Sequence, residues 1–453
     1  MEFSPWVFFT DLGFMSILII IGTILRAKVQ FIQRLFIPAS ILAGILGLAL
    51  GPNGINIIPF SDQIGTYPGI LIALIFGSIP LTSQAIKWST IKNRVGSMWA
   101  YSQSSMIVMW GAGLLFSLLL INPFWDHLHL GFGLILAAGF IGGHGTAAAI
   151  GDTFSQHGWE EATTLAMTSA TVGVLASIIL GILFIKIGSS RGKTSFLSSF
   201  DELPNELRTG LIPSDRRRNV QTDTVSSISI DPYIFHLAIV FFIGLGGYYL
   251  SKLGELLIPS VAIPAFSLAF IVGLIVNRIL TATNTEEYVS SEVVSRISGS
   301  ATDLLVAYGI ASISISVVLD YAIPLILLFI FGLVLTYVYF AVLSKRFFPN
   351  YWFERGIFLW GWNTGTVAMG IALLRIVDPE SKSRTLDDYG IAYIPIAPVE
   401  VLLITFAPLF IVSSHPYIFI LITALSSFFI FVVAYRNKWF QPLNKQQATE
   451  NKR

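Results

Sequence analysis

Two glycine-rich stretches carry most of the residue types in this sequence that can bind an ion or a small solute. Residues 139–152 read GFIGGHGTAAAIGD, and residues 361–370 read GWNTGTVAMG. Glycine permits sharp backbone reversal, and irregular backbone at membrane depth is tolerated where it is buried in protein or lines water. Carbonyl oxygens at such a break coordinate Na⁺, and helix N-termini receive carboxylates. The pattern favours two binding loops, with tightly packed small-residue helices as the alternative.

The candidate binding residues lie in these two stretches and at three positions outside them. They are Gly142, Gly143, His144, Gly145, Thr146, Thr171, Asp303, Asn363, Thr364, Gly365, Thr366 and Glu400. Na⁺ prefers oxygen ligands, so we place it at the loop backbone with Thr146, Asn363 and Thr366. His144 either donates to a substrate carboxylate or ties loop carbonyls together.

Ionisable residues inside apolar segments are functional candidates by default, because such residues are rare there. Asp303 and Glu400 either bind Na⁺, carry a proton, or pair with a buried partner such as Arg375. Asp11 has a weaker claim, since it lies only a turn or two from the predicted outer interface. The Thr171 hydroxyl either faces the first loop or bonds back to its own helix.

The elements that position these residues are membrane helices. The chain has 453 residues, of which 54% are hydrophobic and only 12% charged, about half the roughly 25% charged residues of soluble domains. Apolar runs long enough for a hydrocarbon core of about 30 Å recur along it. The predicted spans are 6–25, 36–51, 66–84, 100–121, 163–187, 233–250, 262–279, 301–319, 324–343, 391–413 and 416–435.

The overall charge and the cysteine content exclude several classes of protein. Lys+Arg number 27 and Asp+Glu 26, for a formal net charge of +1. Near-zero charge without a basic tract in the spans argues against nucleic-acid binding. The chain has no cysteine, which excludes disulfides, Fe–S clusters and cysteine nucleophiles.

Loop charges orient the spans. Basic residues follow the first span within 26–34, whereas 52–65 has no Lys or Arg, so the positive-inside rule places the N-terminus outside. The basic residues of 188–231 lie inside only if 131–151 enters and leaves the membrane on one side. By the same argument, 356–376 enters and leaves the membrane on one side, which places the C-terminus in the cytoplasm. We therefore predict eleven crossings and two re-entrant hairpins.

An internal repeat divides the chain. FIPASILAGILGLALG at 36–51 is similar to AIPAFSLAFIVGLIVN at 262–277, and GTAA at 145–148 is similar to GTVA at 365–368. Because the matching spans cross in opposite directions, the halves are expected to be inverted copies, as in many secondary transporters. The predicted domains are a membrane repeat at 1–187, a cytoplasmic linker at 188–231, an inverted repeat at 232–413, and an extra helix with a cytoplasmic tail at 414–453.

The first loop resembles a known family. GGHGTAAA followed by FSQHGWEEATTLAMTSATVG resembles the first re-entrant loop and next helix of the bacterial sodium:glutamate symporter family. FIPASILAG after a basic loop resembles that family's second helix, and two inverted five-helix halves around a linker resemble its layout. The family's second loop carries a Thr-Pro-Thr-Ala core and a later Asn. The corresponding residues here are Thr364, Gly365, Thr366, Val367 and Gly370.

This resemblance implies a secondary active transporter. It implies Na⁺-coupled symport of an acidic amino acid, glutamate first of all, by alternating access in a homodimer of the inner (cytoplasmic) membrane. No cofactor is expected apart from Na⁺ as the coupling ion, and no enzymatic activity is expected. Symport of another small carboxylate, coupled to H⁺, is the alternative. An ion channel and an intramembrane enzyme are the alternatives from other classes, but inverted halves with hairpins fit a carrier better.

Overall fold

The computed structural model of the protein describes residues 4–82, 95–196, 209–212, 224–257, 264–379 and 381–440. These residues form helices joined by turns and loops, and no strand occurs among them. Eight of their helices are long and apolar enough to cross a membrane. The all-helical, multi-pass membrane architecture predicted from the sequence is therefore confirmed for the described part of the chain.

The helices are numbered in chain order. The N-terminal ones are α1 (Pro5–Lys28), α2 (Gln30–Arg34), α3 (Ala39–Leu50), α4 (Tyr67–Thr82), α5 (Gly96–Phe116), α6 (Leu134–Phe140), α7 (Gly143–Ser155) and α8 (Ala162–Ser190). The C-terminal ones are α9 (Pro232–Leu257), α10 (Ala265–Ala282), α11 (Ser291–Ala311), α12 (Ile315–Asp320), α13 (Ala322–Val338), α14 (Trp352–Gly365), α15 (Val367–Val377), α16 (Thr385–Val412) and α17 (Pro416–Arg436). Further helical turns extend α5 to Phe124 and α13 to Phe347.

One predicted span is misplaced. The expected span 301–319 corresponds to the second half of α11 and the short α12, because α11 begins ten residues earlier. The Ser290 side chain caps α11 by accepting a hydrogen bond from Val293 N, and Glu292 lies in the first turn, where the helix dipole favours negative charge. This polar start lowers the hydropathy of the segment, so the hydropathy pattern does not indicate where the helix begins.

The predicted linker and tail lie mostly beyond what the structure describes. Residues 197–208 and 213–223 of the linker, and the tail from 441 onward, are outside the described residues. α8 continues to Ser190, past the predicted boundary at 187, and α9 begins at Pro232 as expected.

The helices pack in two groups. In the first group, α3 and α4 lie against α11, α10 lies against α4 and α9, and α1 lies against α3. In the second group, α8 contacts α6, α7 and α14, while α5 contacts α6, α16 and α17. Small residues allow close backbone approach: Gly44 of α3 faces Ile310 of α11, and Gly247 of α9 faces Ala269 of α10. The groups meet where α7 contacts α4 and α11.

Asp11 has a structural role in the first group. Its carboxylate is 1% exposed and accepts hydrogen bonds from Ser61 N at 2.9 Å, Ser61 Oγ at 2.5 Å and the Tyr67 hydroxyl at 2.8 Å. Buried charge is tolerated when it is fully hydrogen-bonded in this way. These bonds join α1 to the start of α4 and to the loop before it.

Candidate functional site

α6 and α7 form a helical hairpin. The helix is interrupted at Ile141 and Gly142, and Gly143 then adopts φ +64°, a left-handed conformation that suits glycine. The His129 ring, before α6, packs on the Phe154 ring near the end of α7, with centroids 5.2 Å apart. A continuous helix over the same residues would separate them by more than about 30 Å. The chain therefore reverses direction at the glycines.

α14 and α15 form a second hairpin. Thr366 separates them with φ +91° and ψ 164°, a region almost restricted to glycine. A Cβ on Gly361 of α14 would lie 2.6 Å from the Cα of Gly370 in α15, whereas nine residues of continuous helix span about 13.5 Å. The chain reverses here too, and the β-branched Thr366 is strained, as residues at binding sites often are.

The two hairpins meet at their tips. A Cβ placed on Gly143 would overlap the methyl group of Thr366. The contact joins residues 223 positions apart in the chain. Any side chain at 143 would push the tips apart, so the junction requires glycine at this position.

α8 supports both tips from one side. A Cβ on Gly139, before the first tip, would collide with Ser169 of α8. A Cβ on Gly173 of α8 would collide with the carbonyl oxygen of Thr364, at the second tip. Both tips are therefore seated on a single helix through contacts with glycine backbone.

A cavity of about 370 Å³ lies where the tips face the first helix group. Its walls come from α3, α4 and α11 on one side, and from both tips, α8 and α16 on the other. The predicted site residues that line it are Gly142, His144, Gly145, Thr146, Asp303, Thr366 and Glu400. Among the described lining residues there are two carboxylates and one imidazole but no Lys or Arg.

Both tips present the beginning of a helix to this cavity. Gly145 and Thr146 lie in the first turn of α7, and Ala368 and Met369 in the first turn of α15. The N–H groups of a first turn carry partial positive charge and most lack intrahelical partners, although Met369 N donates to the Thr366 carbonyl oxygen at 3.2 Å. The C-terminal end of α14, Asn363–Gly365, is buried behind them and does not line the cavity. This arrangement suits a carboxylate in the cavity and a cation behind it.

Asn363 offers an oxygen ligand at the buried end of α14. Ser105 Oγ lies 3.0 Å from both the Ser102 carbonyl oxygen and Asn363 Oδ1, but a hydroxyl has only one hydrogen to donate. In that orientation Asn363 Nδ2 has no acceptor among the described residues. If the amide is rotated by about 180°, Nδ2 donates to Ser105 Oγ. The positions of the oxygen and nitrogen of an Asn amide are assigned from such hydrogen bonds, so we adopt this orientation. Oδ1 is then free at a helix C-terminus, where a cation is favoured.

The remaining candidates are also placed. Thr171 Oγ1 of α8 lies 3.2 Å from His144 Nε2. The Thr364 hydroxyl donates to the Trp360 carbonyl oxygen at 2.7 Å. Gly365 packs on α8 at Ser177. Thr171 is thus brought to the first tip, while the Thr364 hydroxyl hydrogen is used within its own helix.

The two cavity carboxylates have different surroundings. Glu400 Oε2 accepts a hydrogen bond from the Tyr393 hydroxyl at 2.7 Å, whereas Asp303 is exposed. Pairing with Arg375 was one of the alternatives for these carboxylates, and the hydrogen bond that Arg375 makes among the described residues is instead to the Pro379 carbonyl oxygen, at 2.9 Å. Sequence reasoning also missed Tyr393, although the seven-residue spacing places it on the same helix face as Glu400.

Comparison with known proteins agrees with a transporter. The sequence model of a family described as sodium/glutamate symporter matches residues 8–351, which include the first hairpin and end directly before α14. No curated protein matches the chain. Among solved structures, the chain is similar to a sodium proton antiporter from Methanocaldococcus jannaschii, with 18% identity, 96% of this chain and 98% of that chain covered, and a TM-score of 0.36.

Proposed function

Because the chain belongs to the sodium/glutamate symporter family, and is therefore a Na⁺-coupled membrane transporter, we propose that it carries a small acidic solute, glutamate above all, by alternating access. The observation that carries this proposal is the pair of helix N-termini, from α7 and α15, that face one cavity. The partial positive charge of these first turns is suited to the carboxylates of such a solute. The cavity lies between two helix groups, which is where an alternating-access carrier needs its site.

Charge compensation accounts for the coupling to Na⁺. The described lining has the carboxylates of Asp303 and Glu400 and no Lys or Arg. An anionic solute entering this cavity is repelled unless a cation enters with it. Binding of each ion therefore favours binding of the other, which is a coupling free energy between two sites.

We place the Na⁺ at the tips. Its ligands are Asn363 Oδ1, the hydroxyl oxygens of Thr146 and Thr366, and backbone carbonyls at the end of α14. Asn363 is 1% exposed and Thr146 is 2% exposed, so a cation there is shielded from solvent and close to the solute. Thr364, Gly365 and the tip glycines shape the backbone around it.

The proposed architecture has two inverted halves. The first half contains α1, α3, α4, α5 and α8 with the α6–α7 hairpin. The second contains α9, α10, α11, α13 and α16 with the α14–α15 hairpin, and α17 is additional. Both hairpins are re-entrant in this proposal. The six helices α1, α3, α4, α9, α10 and α11 form a scaffold against which the hairpin-bearing group moves, in a homodimer of the cytoplasmic membrane.

The proposed orientation corresponds to an inward-facing state. With the N-terminus outside, Pro38 at the start of α3 and Ile79 near the end of α4 lie towards the cytoplasm, and both line the cavity. Towards the other side the two helix groups touch, where Ser314 N donates to Thr164 Oγ1 at 3.4 Å. These contacts support access from the cytoplasm and closure outside.

Cysteine labelling tests the orientation. The chain has no natural cysteine, so single substitutions give an unambiguous signal. Ser199→Cys, in the predicted linker and outside the described residues, should react with an impermeant maleimide only from the cytoplasm. Asn56→Cys, in the exposed loop between α3 and α4, should react only from outside. Labelling of both positions from the same side would contradict the proposed topology.

Uptake into proteoliposomes tests the function. With an inward Na⁺ gradient we expect accumulation of labelled glutamate, and with choline replacing Na⁺ at fixed pH we expect none. Undiminished uptake in choline would reject sodium coupling. Robust Na⁺-driven uptake of another carboxylate, without glutamate uptake, would reject only the substrate. Uptake driven by a proton gradient alone would favour the H⁺-coupled alternative. Equilibration of the solute without accumulation would indicate a channel. Chemical conversion of the solute would indicate an enzyme.

A further inference from the structure

We infer that His144 acts as a hydrogen-bond acceptor in the cavity and selects solutes that carry an ammonium group next to a carboxylate. The inference rests on the proposed function, because it concerns the same cavity. It assigns His144 the opposite role from donation to a substrate carboxylate, which the sequence alone left open.

Thr171 fixes which ring nitrogen of His144 carries the hydrogen. Thr171 Oγ1 lies 2.9 Å from the Met167 carbonyl oxygen, the usual geometry of a helical threonine donating to the carbonyl four residues earlier. Its only hydrogen is used there, so Oγ1 is an acceptor towards His144 Nε2, which lies 3.2 Å away. Nε2 therefore carries the hydrogen, and in a neutral ring Nδ1 carries the lone pair.

The surroundings of the ring favour its neutral form. His144 is 3% exposed and lines the cavity, and its one hydrogen bond to described residues is that with Thr171. No described carboxylate, including Asp303 and Glu400 of the same cavity, forms a hydrogen bond with it. Burying a cation without a paired anion is costly. Donation from Nδ1 would require that cation, whereas acceptance requires only the neutral ring.

The position of His144 matches the chemistry of an α-amino acid. The residue lies in the first turn of α7, beside the Gly145 and Thr146 backbone. The N–H groups of that turn suit a carboxylate. In an α-amino acid the ammonium is bonded to the carbon that bears the carboxylate, so one helical turn offers donors for one group and an acceptor for the other.

The experiment compares each amino acid with its amine-free counterpart. Glutamate and glutarate, aspartate and succinate, and alanine and propionate are competed against the transported solute in proteoliposomes. We expect the wild type to prefer the ammonium-bearing member of each bound pair by about 10- to 100-fold, the range for a hydrogen bond to a charged group. His144→Phe should lower this ratio, mainly by weakening the binding of the amino acid, while the attraction of the ammonium group to the Asp303 and Glu400 carboxylates of the same cavity remains.

Thr171 supplies matched variants that leave the ring in place. Thr171→Val removes the acceptor for Nε2–H, frees the tautomer and should lower the preference for the ammonium-bearing member, whereas Thr171→Ser should keep it. Size-exclusion profiles and thermal unfolding show whether each variant is folded. An unchanged ratio in folded His144→Phe or Thr171→Val would overturn the inference, and so would a wild type that binds both members of every pair equally. A wild type that prefers ammonium-bearing solutes but does not carry glutamate would reject the proposed substrate and leave this inference standing.

Discussion

Replacing Gly143 with valine is expected to abolish Na⁺-driven uptake while leaving a folded, membrane-inserted protein. Gly143 has φ +64°, which costs an L-residue roughly 1–2 kcal/mol, and a β-branched one more. The added Cβ would also overlap the Thr366 methyl group. Separating the tips would displace the two helix N-termini that are proposed to receive the solute.

A matched control distinguishes the steric effect of Gly143→Val on the contact between the tips from its effect on backbone strain. Gly192, just after α8, has nearly the same φ, +63°, but a Cβ there would meet no atom within 4 Å. Gly192→Val therefore carries the same conformational cost without the collision, and we expect it to retain uptake. Equal loss in Gly192→Val and Gly143→Val would attribute the effect to strain alone.

The second tip should be equally sensitive. A Cβ on Gly365 would lie 2.8 Å from Ser177 Cβ and 2.9 Å from the Val174 Cα, so valine there would push the tip from α8. Uptake by Gly365→Val and Gly143→Val is measured at matched amounts of monodisperse, reconstituted protein. Near-normal uptake by both variants would reject the hairpin tips as the binding site.

The helices and the two breaks were predictable because each leaves a local signal. Long apolar runs require helices in a membrane, and clusters of glycine interrupt them. The start of α11 was missed because its local signal is misleading. Glu292 and Arg296 lie within its first two turns and give the segment the polar composition of a loop. Local composition reports hydropathy, whereas the capping hydrogen bond at Ser290 defines where the helix begins.

The contacts between distant residues were not predictable. Nothing in the local pattern shows that Gly143 meets Thr366, because the contact depends on how two hairpins pack against α8. The alternatives for Thr171 turned out to be compatible: its hydroxyl donates to its own helix, and its oxygen still contacts His144. The type of a residue defines which hydrogen-bond partners its side chain can have. Only the packing of the helices determines which of these partners it contacts simultaneously.

Asn363→Ala is expected to raise the Na⁺ concentration for half-maximal uptake by about tenfold or more, the effect of losing about 1.4 kcal/mol of binding. The amide oxygen is the one side-chain ligand at the buried end of α14 that no described donor occupies once the amide is turned to bond Ser105. Thr366→Ala, which removes a hydroxyl ligand, should act in the same direction. By linkage, the glutamate KM should rise at low Na⁺ and recover at saturating Na⁺.

Ser177→Ala is the matched control for this effect. Ser177 is fully buried and its hydroxyl donates to the Gly361 carbonyl oxygen of the same hairpin at 3.3 Å, but it supplies no proposed ligand. It should lower stability slightly and leave the Na⁺ dependence unchanged. If Asn363→Ala lowered maximal uptake without shifting the Na⁺ dependence, or if Ser177→Ala shifted it equally, Asn363 would be a packing residue. A shift confined to Asn363→Ala and Thr366→Ala requires the cation to bind at the strained end of α14, where helix dipole and amide oxygen favour positive charge.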